Sequence, residues 1–111
     1  IIGSPGYHGG VSGLVKNAID LLEDLRTDTR VYFDGRAVGL VVTAAGWQAG
    51  GVTLSALRGI THAMRGWPTP LGIAINTIAQ KPFDADGRLV DADIIAQVNA
   101  QAAQVMALAR R

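Results

Sequence analysis

Cysteine is absent from the 111 residues. That removes disulfide frameworks, thiolate metal sites and thiol nucleophiles together, and leaves any redox role to a bound cofactor. No apolar run reaches the roughly 18 to 20 residues that a bilayer-crossing helix needs. Gly, polar or charged residues interrupt every candidate, so a water-soluble, cytoplasmic protein with no membrane partner is expected. Nor is there an excess of one charge. Ten Lys and Arg stand against nine Asp and Glu, a formal charge of +1, and no basic cluster follows a nucleic-acid backbone, so no nucleic-acid partner is expected. The opening Ile1-Ile2-Gly3-Ser4-Pro5 has neither the basic start nor the long apolar middle of a signal peptide. It reads as the end of a strand already under way, and the chain is expected to be part of something longer.

Apolar types make up 49% of the chain, enough for one small core and not for two. Short apolar runs alternate with longer amphipathic stretches. Ile1 to Ser4 reads as a strand end, broken by Pro5 and Gly6. A helix is expected from about Ser12, a plausible N-cap, to Leu25. Its inward face is Leu14, Ala18, Leu21, Leu22 and Leu25, widened by Val15 and Ile19. A polar linker, residues 26–36, carries the Asp34-Gly35 turn signal. Residues 37–43 then form an apolar, partly β-branched run that suits a strand covered on both faces. A glycine-rich loop, 44–51, leads to a second helix at about 52–65, which Gly66-Trp67-Pro68-Thr69-Pro70 stops. Residues 71–76 read as a third strand, and Asp84-Ala85-Asp86-Gly87 as a surface turn. A last helix is expected from Ala92 to Ala109 behind an Asp91 cap, with Ile94, Ile95, Val98, Ala102, Val105 and Met106 inward.

Strand, helix, strand, helix, strand, helix with apolar strands predicts an α/β fold whose parallel sheet carries helices on both faces. In such sheets ligands bind beyond the carboxyl ends of the strands, where loops 4–10, 44–51 and 76–82 would gather. The first two loops are glycine-rich and precede helices. Main-chain N–H groups and the positive end of a helix dipole would therefore face the crevice, and backbone could approach a flat, electron-rich ligand closely. Read without further context, the same loops are also ordinary tight strand-to-helix turns.

The stretch Gly3-Ser4-Pro5-Gly6-Tyr7-His8-Gly9-Gly10-Val11-Ser12-Gly13-Leu14-Val15-Lys16-Asn17-Ala18-Ile19-Asp20 resembles the signature of NADPH-dependent FMN reductases. There a Pro-Glu-Tyr-(Asn or His) turn is followed by Leu-Lys-Asn-Ala-(Ile or Leu)-Asp. Val41 to Gly46 with Gly50-Gly51 is similar to that family's second flavin-facing loop, Leu57-Arg58 to a pair in its next helix, and Phe83 to Leu89 to its turn before the final helix. The similarity thus extends over essentially the whole chain. It implies a flavodoxin-like, doubly wound parallel sheet lacking its N-terminal strand or strands and helix, with residues 1–111 the carboxy-terminal portion of one FMN-binding domain. It implies FMN and NAD(P)H as cofactors and hydride transfer through flavin to a quinone or similar small-molecule acceptor. It also implies a homodimer or tetramer. The flavin-contacting positions would be Pro5, Gly6, Tyr7, His8 and Gly9 together with Ala44, Ala45 and Gly46, with Tyr7 and His8 shaping the stacking face. No residue is assigned as catalytic acid or base.

Two departures stand out: Gly6 where Glu is common, and Ala44 where Ser often contacts flavin. No counterpart of the family's phosphate-binding loop is present, so the chain alone is expected to hold FMN weakly. The competing reading is a flavodoxin-like electron carrier or regulatory module that binds FMN without turning over nicotinamide; a third is a flavin-less oligomer subunit. His62 lacks a second His at metal spacing and reads as a surface residue. Asp84 to Gly87 lacks the ordered ligands of a calcium loop. Trp47 could line an acceptor pocket or a subunit contact, Lys16 could pair across such a contact, and Asn17 could tie loops together.

Overall fold

The computed structural model describes residues 1–111. Strand β1 (Ile2–Pro5) leads through a tight turn to helix α1 (Gly13–Leu21), after which come short strand β2 (Ala37–Val38), β3 (Leu40–Ala44) and helix α2 (Trp47–Ala63). Short strand β4 (Trp67–Pro68), β5 (Ile73–Asn76) and helix α3 (Ala92–Ala109) complete the chain. The main sheet has the order β1-β3-β5, all parallel, and β2 pairs with β4, also parallel. The expected α/β alternation with a parallel sheet is therefore what forms. No helix is long and apolar enough to cross a membrane.

Side chains alternate across the sheet, so each face has its own core. Val38, Leu40 and Val42 pack with Leu57 and Leu54 of α2 on one face. Ile73 and Ile75 pack with Ile94 of α3 on the other, beside Val41 and Leu71. Ser12 caps α1 by accepting the Val15 N–H at 3.1 Å, and Asp91 caps α3 by accepting that of Ile94 at 3.0 Å. Asp84 to Gly87 is the expected turn: the Asp84 Oδ1 accepts the N–H groups of Asp86 and Arg88, each at 2.9 Å.

Several boundaries and faces differ from expectation. The apolar run 37–43 splits at Gly39 into β2 and β3, and the supposed helix stop at 66–70 contains β4, whose Trp67 N–H donates to the Arg36 carbonyl at 2.8 Å. Helix α2 starts at Trp47, five residues early, so Gly50 and Gly51 lie inside it and not in a loop. Gly50 is buried against Ala74 of the sheet, where a Cβ would stand 3.4 Å from that of Ala74, and Gly51 is exposed.

Helix α1 buries Ile19 and half-buries Val15 and Leu22, while Leu14 (82% exposed), Ala18 and Leu21 (66%) face outward. Apolar residues occur on more than one side of this helix, and periodicity alone cannot say which side meets the sheet. Helix α3 departs further. Its sheet-facing row is Ile94, Gln97, Gln101, Gln104 and Leu108, whereas Ile95, Val98, Ala102 and Met106 lie outside. Glutamine is buried here because the strand starts offer partners. Gln101 Nε2 donates to the carbonyls of Leu40 (2.9 Å) and Leu71 (3.1 Å), and Gln104 Oε1 accepts the Leu71 N–H at 2.8 Å.

Two predictions follow from these contacts. Replacing Gln101 by Leu deletes both donations from a buried position, so stability should fall by about 1 to 3 kcal/mol; the check is a lower urea midpoint at unchanged slope. The Tyr32 phenol is raised above its ordinary value by partial desolvation and by the Glu23 carboxylate that accepts its proton at 3.0 Å. Since the folded state holds that proton more tightly, the contribution is complete at neutral pH and is lost as pH rises through the phenol's folded pKa. Alkaline titration should show Tyr32 ionising above the ordinary phenol range, and Tyr32→Phe should flatten the alkaline loss of stability.

Candidate functional site

The register of the sheet sets the site. Pro5 lies opposite Thr43 and Val42 opposite Ala74, so all three strands end at the same level with their carboxyl ends side by side. The Gly6 N–H continues the pairing by donating to the Thr43 carbonyl at 2.8 Å, and Thr77 closes the far side, its N–H (2.8 Å) and hydroxyl (3.2 Å) both donating to the Ala44 carbonyl. A cavity of 440 Å³ lies above these ends, within the size range of small-ligand pockets.

Pro5, Gly6, Tyr7 and His8 form one wall of this cavity and Ala44, Ala45 and Gly46 the other. The two segments emerge next to each other. Gly9 does not join them: with φ +77° it ends the turn and borders an adjoining hollow beside Gln48 and Val52. Thr43, Ala49 and Thr77 complete the lining and were not singled out from sequence. Their signal was positional, since Thr43 ends a strand and Thr77 begins the third loop at the carboxyl edge. Trp47, 55% exposed at the first position of α2, does not line the cavity.

Two features show how tightly the turn is held. Gly6 is buried, and a Cβ there would come within 2.9 Å of Thr53 Oγ1 and 3.2 Å of the Ala49 carbonyl. The turn thus rests directly on α2, with room only for glycine. His8 takes φ 54°, a left-handed conformation that an L residue adopts at a cost of about 1–2 kcal/mol. Its ring stays at the exposed rim. Helix α2 begins at the cavity floor. Its N-cap is Gly46, which has no side chain to offer, so the first-turn N–H groups are left for a ligand or water.

The lining carries no Lys, Arg, Asp or Glu. Main-chain groups, small side chains, one phenol and one imidazole suit an uncharged planar ring with polar edges; they offer no cation to a phosphate. Elsewhere, His62 sits exposed in the last turn of α2, Lys16 pairs with Asp20 of its own helix at 2.9 Å, and Asn17 is exposed. Leu57 is fully buried, and Arg58 donates to the carbonyls of Thr69 (3.0 Å) and Pro70 (2.9 Å), so this pair anchors α2 and lies outside the cavity.

Comparison with known proteins bears on the same residues. The family profile for NADPH-dependent FMN reductase matches residues 1–80, which takes in the first two loops and the start of the third and leaves α3 outside. The FMN-dependent NADPH-azoreductase of Staphylococcus aureus strain USA300 is 39% identical over 74 residues, covering 67% of this chain and 36% of that protein. The FMN-dependent NADPH-azoreductase of Staphylococcus saprophyticus subsp. saprophyticus is 36% identical over 84 residues, covering 76% of this chain and 41% of that protein. The chain thus spans between 36% and 41% of the length of these curated relatives.

The contact between the turn and α2 yields a test. Gly6→Ala should push the turn off the helix and cost about 1–3 kcal/mol of stability. Thr53→Val should be neutral or slightly stabilising, because the Thr53 hydroxyl is buried without a partner. Thermal unfolding of both variants checks this pair of expectations.

Proposed function

Because this chain belongs to the NADPH-dependent FMN reductase family, we propose that the protein it comes from carries electrons from NADPH through bound FMN to a small-molecule acceptor. The observation that carries the reading is the crevice itself: residues 5–8 and 43–46 end adjacent parallel strands and face each other across a cavity free of charged side chains. In this reading the cavity holds the isoalloxazine ring. Bound FMN supplies the hydride chemistry, and the chain supplies binding, orientation and exclusion of water. The main-chain N–H groups of Tyr7, His8, Ala45 and Gly46 would meet the polar edge of the ring, contacts that do not depend on the side chains at positions 6 and 44. The first turn of α2 favours electron density building up on the ring. Tyr7 and His8 frame the open side, where nicotinamide and acceptor stack in turn.

The ring-holding half of the site is the share we assign to residues 1–111; phosphate-binding groups belong to another part of the protein. The acceptor class we favour is an azo compound or a quinone, the former after the relatives' names. We also propose a homodimer or tetramer, with the outward row Leu14, Ala18 and Leu21 of α1 as a subunit contact, and a cytoplasmic setting where NADPH is available.

The experiment is a steady-state assay of the full-length protein with FMN, NADH or NADPH, and either an azo dye or a quinone. Rapid NADPH oxidation dependent on FMN and acceptor is expected. Tight FMN binding without turnover would favour an electron carrier, and absence of both would leave only a structural subunit. Residues 1–111 alone should bind FMN weakly, and nanomolar affinity for them would overturn the division of the site.

A further inference from the structure

The opposite edge of the sheet, where the strands begin, carries a second concave region. Trp67, at the start of β4, is 62% exposed. On one side of it lies a cavity of 220 Å³ bounded by Gly35, Ala37, Leu108 and Arg111. Through Gly35 and Ala37 this cavity adjoins another of 340 Å³ that Arg30 and Arg36 border. On its other side Trp67 borders a hollow of 450 Å³ with His62 and Arg65.

Arg111 and Arg65 thus border the cavities on either side of the open indole, Arg30 and Arg36 border the cavity that adjoins the first, and none of the four has a carboxylate partner. The sole ion pair in the chain is that of Lys16 with Asp20. Arg30 uses only its Nε, on the Asp34 carbonyl at 2.7 Å, so both of its terminal nitrogens are unpaired. The backbone holds these groups in place. Phe33 N–H donates to Met64 O at 3.0 Å and Trp67 N–H to Arg36 O at 2.8 Å, which locks the arginine-bearing loop to the β4 segment. The chain has three non-glycine residues at positive φ: His8 at the crevice, and Tyr32 (47°) and Arg65 (64°) at this edge, with the Arg65 guanidinium 6.0 Å above the Tyr32 ring. Left-handed backbone at bulky residues is kept where the surroundings enforce it, commonly at sites that bind.

We propose that this edge is a second binding site, for a planar aromatic anion. The ring stacks on the Trp67 indole, and Arg36, with Arg30 and Arg111, takes the acidic group through charge-assisted hydrogen bonds. Sulfonated arenes and purine nucleotides share this chemistry. The site is independent of the flavin crevice, which lies at the other ends of the same strands.

The test is calorimetric titration of the full-length, FMN-saturated protein with naphthalene-2-sulfonate, with AMP, and with the uncharged naphthalen-2-ol. Saturable binding of at least one anion is expected, with the tighter of the two identifying the source. Arg36→Gln should weaken it about ten-fold or more, the loss of one charge-assisted contact, and Trp67→Leu should weaken it comparably while FMN content is unchanged. If Trp67→Leu fails to fold, Arg36→Gln decides alone. Absence of binding by both anions, equal binding of the neutral arene, or affinity untouched by Arg36→Gln would each overturn the proposal.

Discussion

The architecture of the crevice depends on one close approach, that of the Gly6 turn to the first turns of α2. The Gly6 N–H is bonded to the Thr43 carbonyl at 2.8 Å, and its Cα lies so near Thr53 and Ala49 that no side chain fits. Three otherwise separate pieces meet there: the end of β1, the end of β3 and the body of α2. Gly50, one turn on, lies in ordinary packing distance of Ala44 and Ala74. With the helix that close, its free N–H groups come to the level of the strand ends, and the floor of the cavity becomes main chain. A wall built from backbone needs no side chain at position 6 to face the slot, and in this chain the packing against Thr53 and Ala49 leaves no space for one.

The same packing separates what could be read along the chain from what could not. Strand order, the capping residues Ser12 and Asp91, the Asp84 turn and the meeting of residues 5–8 with 44–46 follow from short-range rules: apolar runs, N-cap chemistry and the geometry of parallel sheets. Glycine misled where it serves contact instead of turning. Gly50-Gly51 has the look of a loop, yet both residues lie inside α2, Gly50 packed beside Ala74. Gly9, at φ +77°, borders the adjoining hollow beside His8 and Gly46, a placement that residue type alone does not reveal. Thr43 and Thr77 are uninformative as residue types; their role comes from register.

The helix faces show a deeper limit. Hydrophobic periodicity assumes that a helix turns its apolar side to the sheet, yet α3 sets Gln97, Gln101 and Gln104 in the inward row with Ile94 and Leu108, and leaves Ile95, Val98 and Met106 outside. The assumption fails because the sheet at this point is not simply apolar. At the first residue of β3, and again before β5, main-chain carbonyls need donors, which Gln101 provides to Leu40 and Leu71. An unpaired buried carbonyl costs more than a buried amide that satisfies it. Polar need at Gln101 and Gln104, together with the apolar anchor Ile94, orients this helix.

That orientation also bears on how the site can work. Helix α3 packs on β2 and β5, at the side of the sheet away from β1, and only 20 of 111 residues are buried. Its outer row of Ile95, Val98 and Met106 and the outward leucines of α1 leave apolar surface exposed on both layers. Apolar surface of this extent is stabilised by being covered, and the β1 edge beside it is a strand with free hydrogen-bonding groups. A flavin site divided between a ring-holding unit and a separate phosphate-holding unit would need such surfaces. The affinity for the whole cofactor would then depend on the two units being locked together, and the apolar rows, lying away from the crevice, could do so without narrowing it.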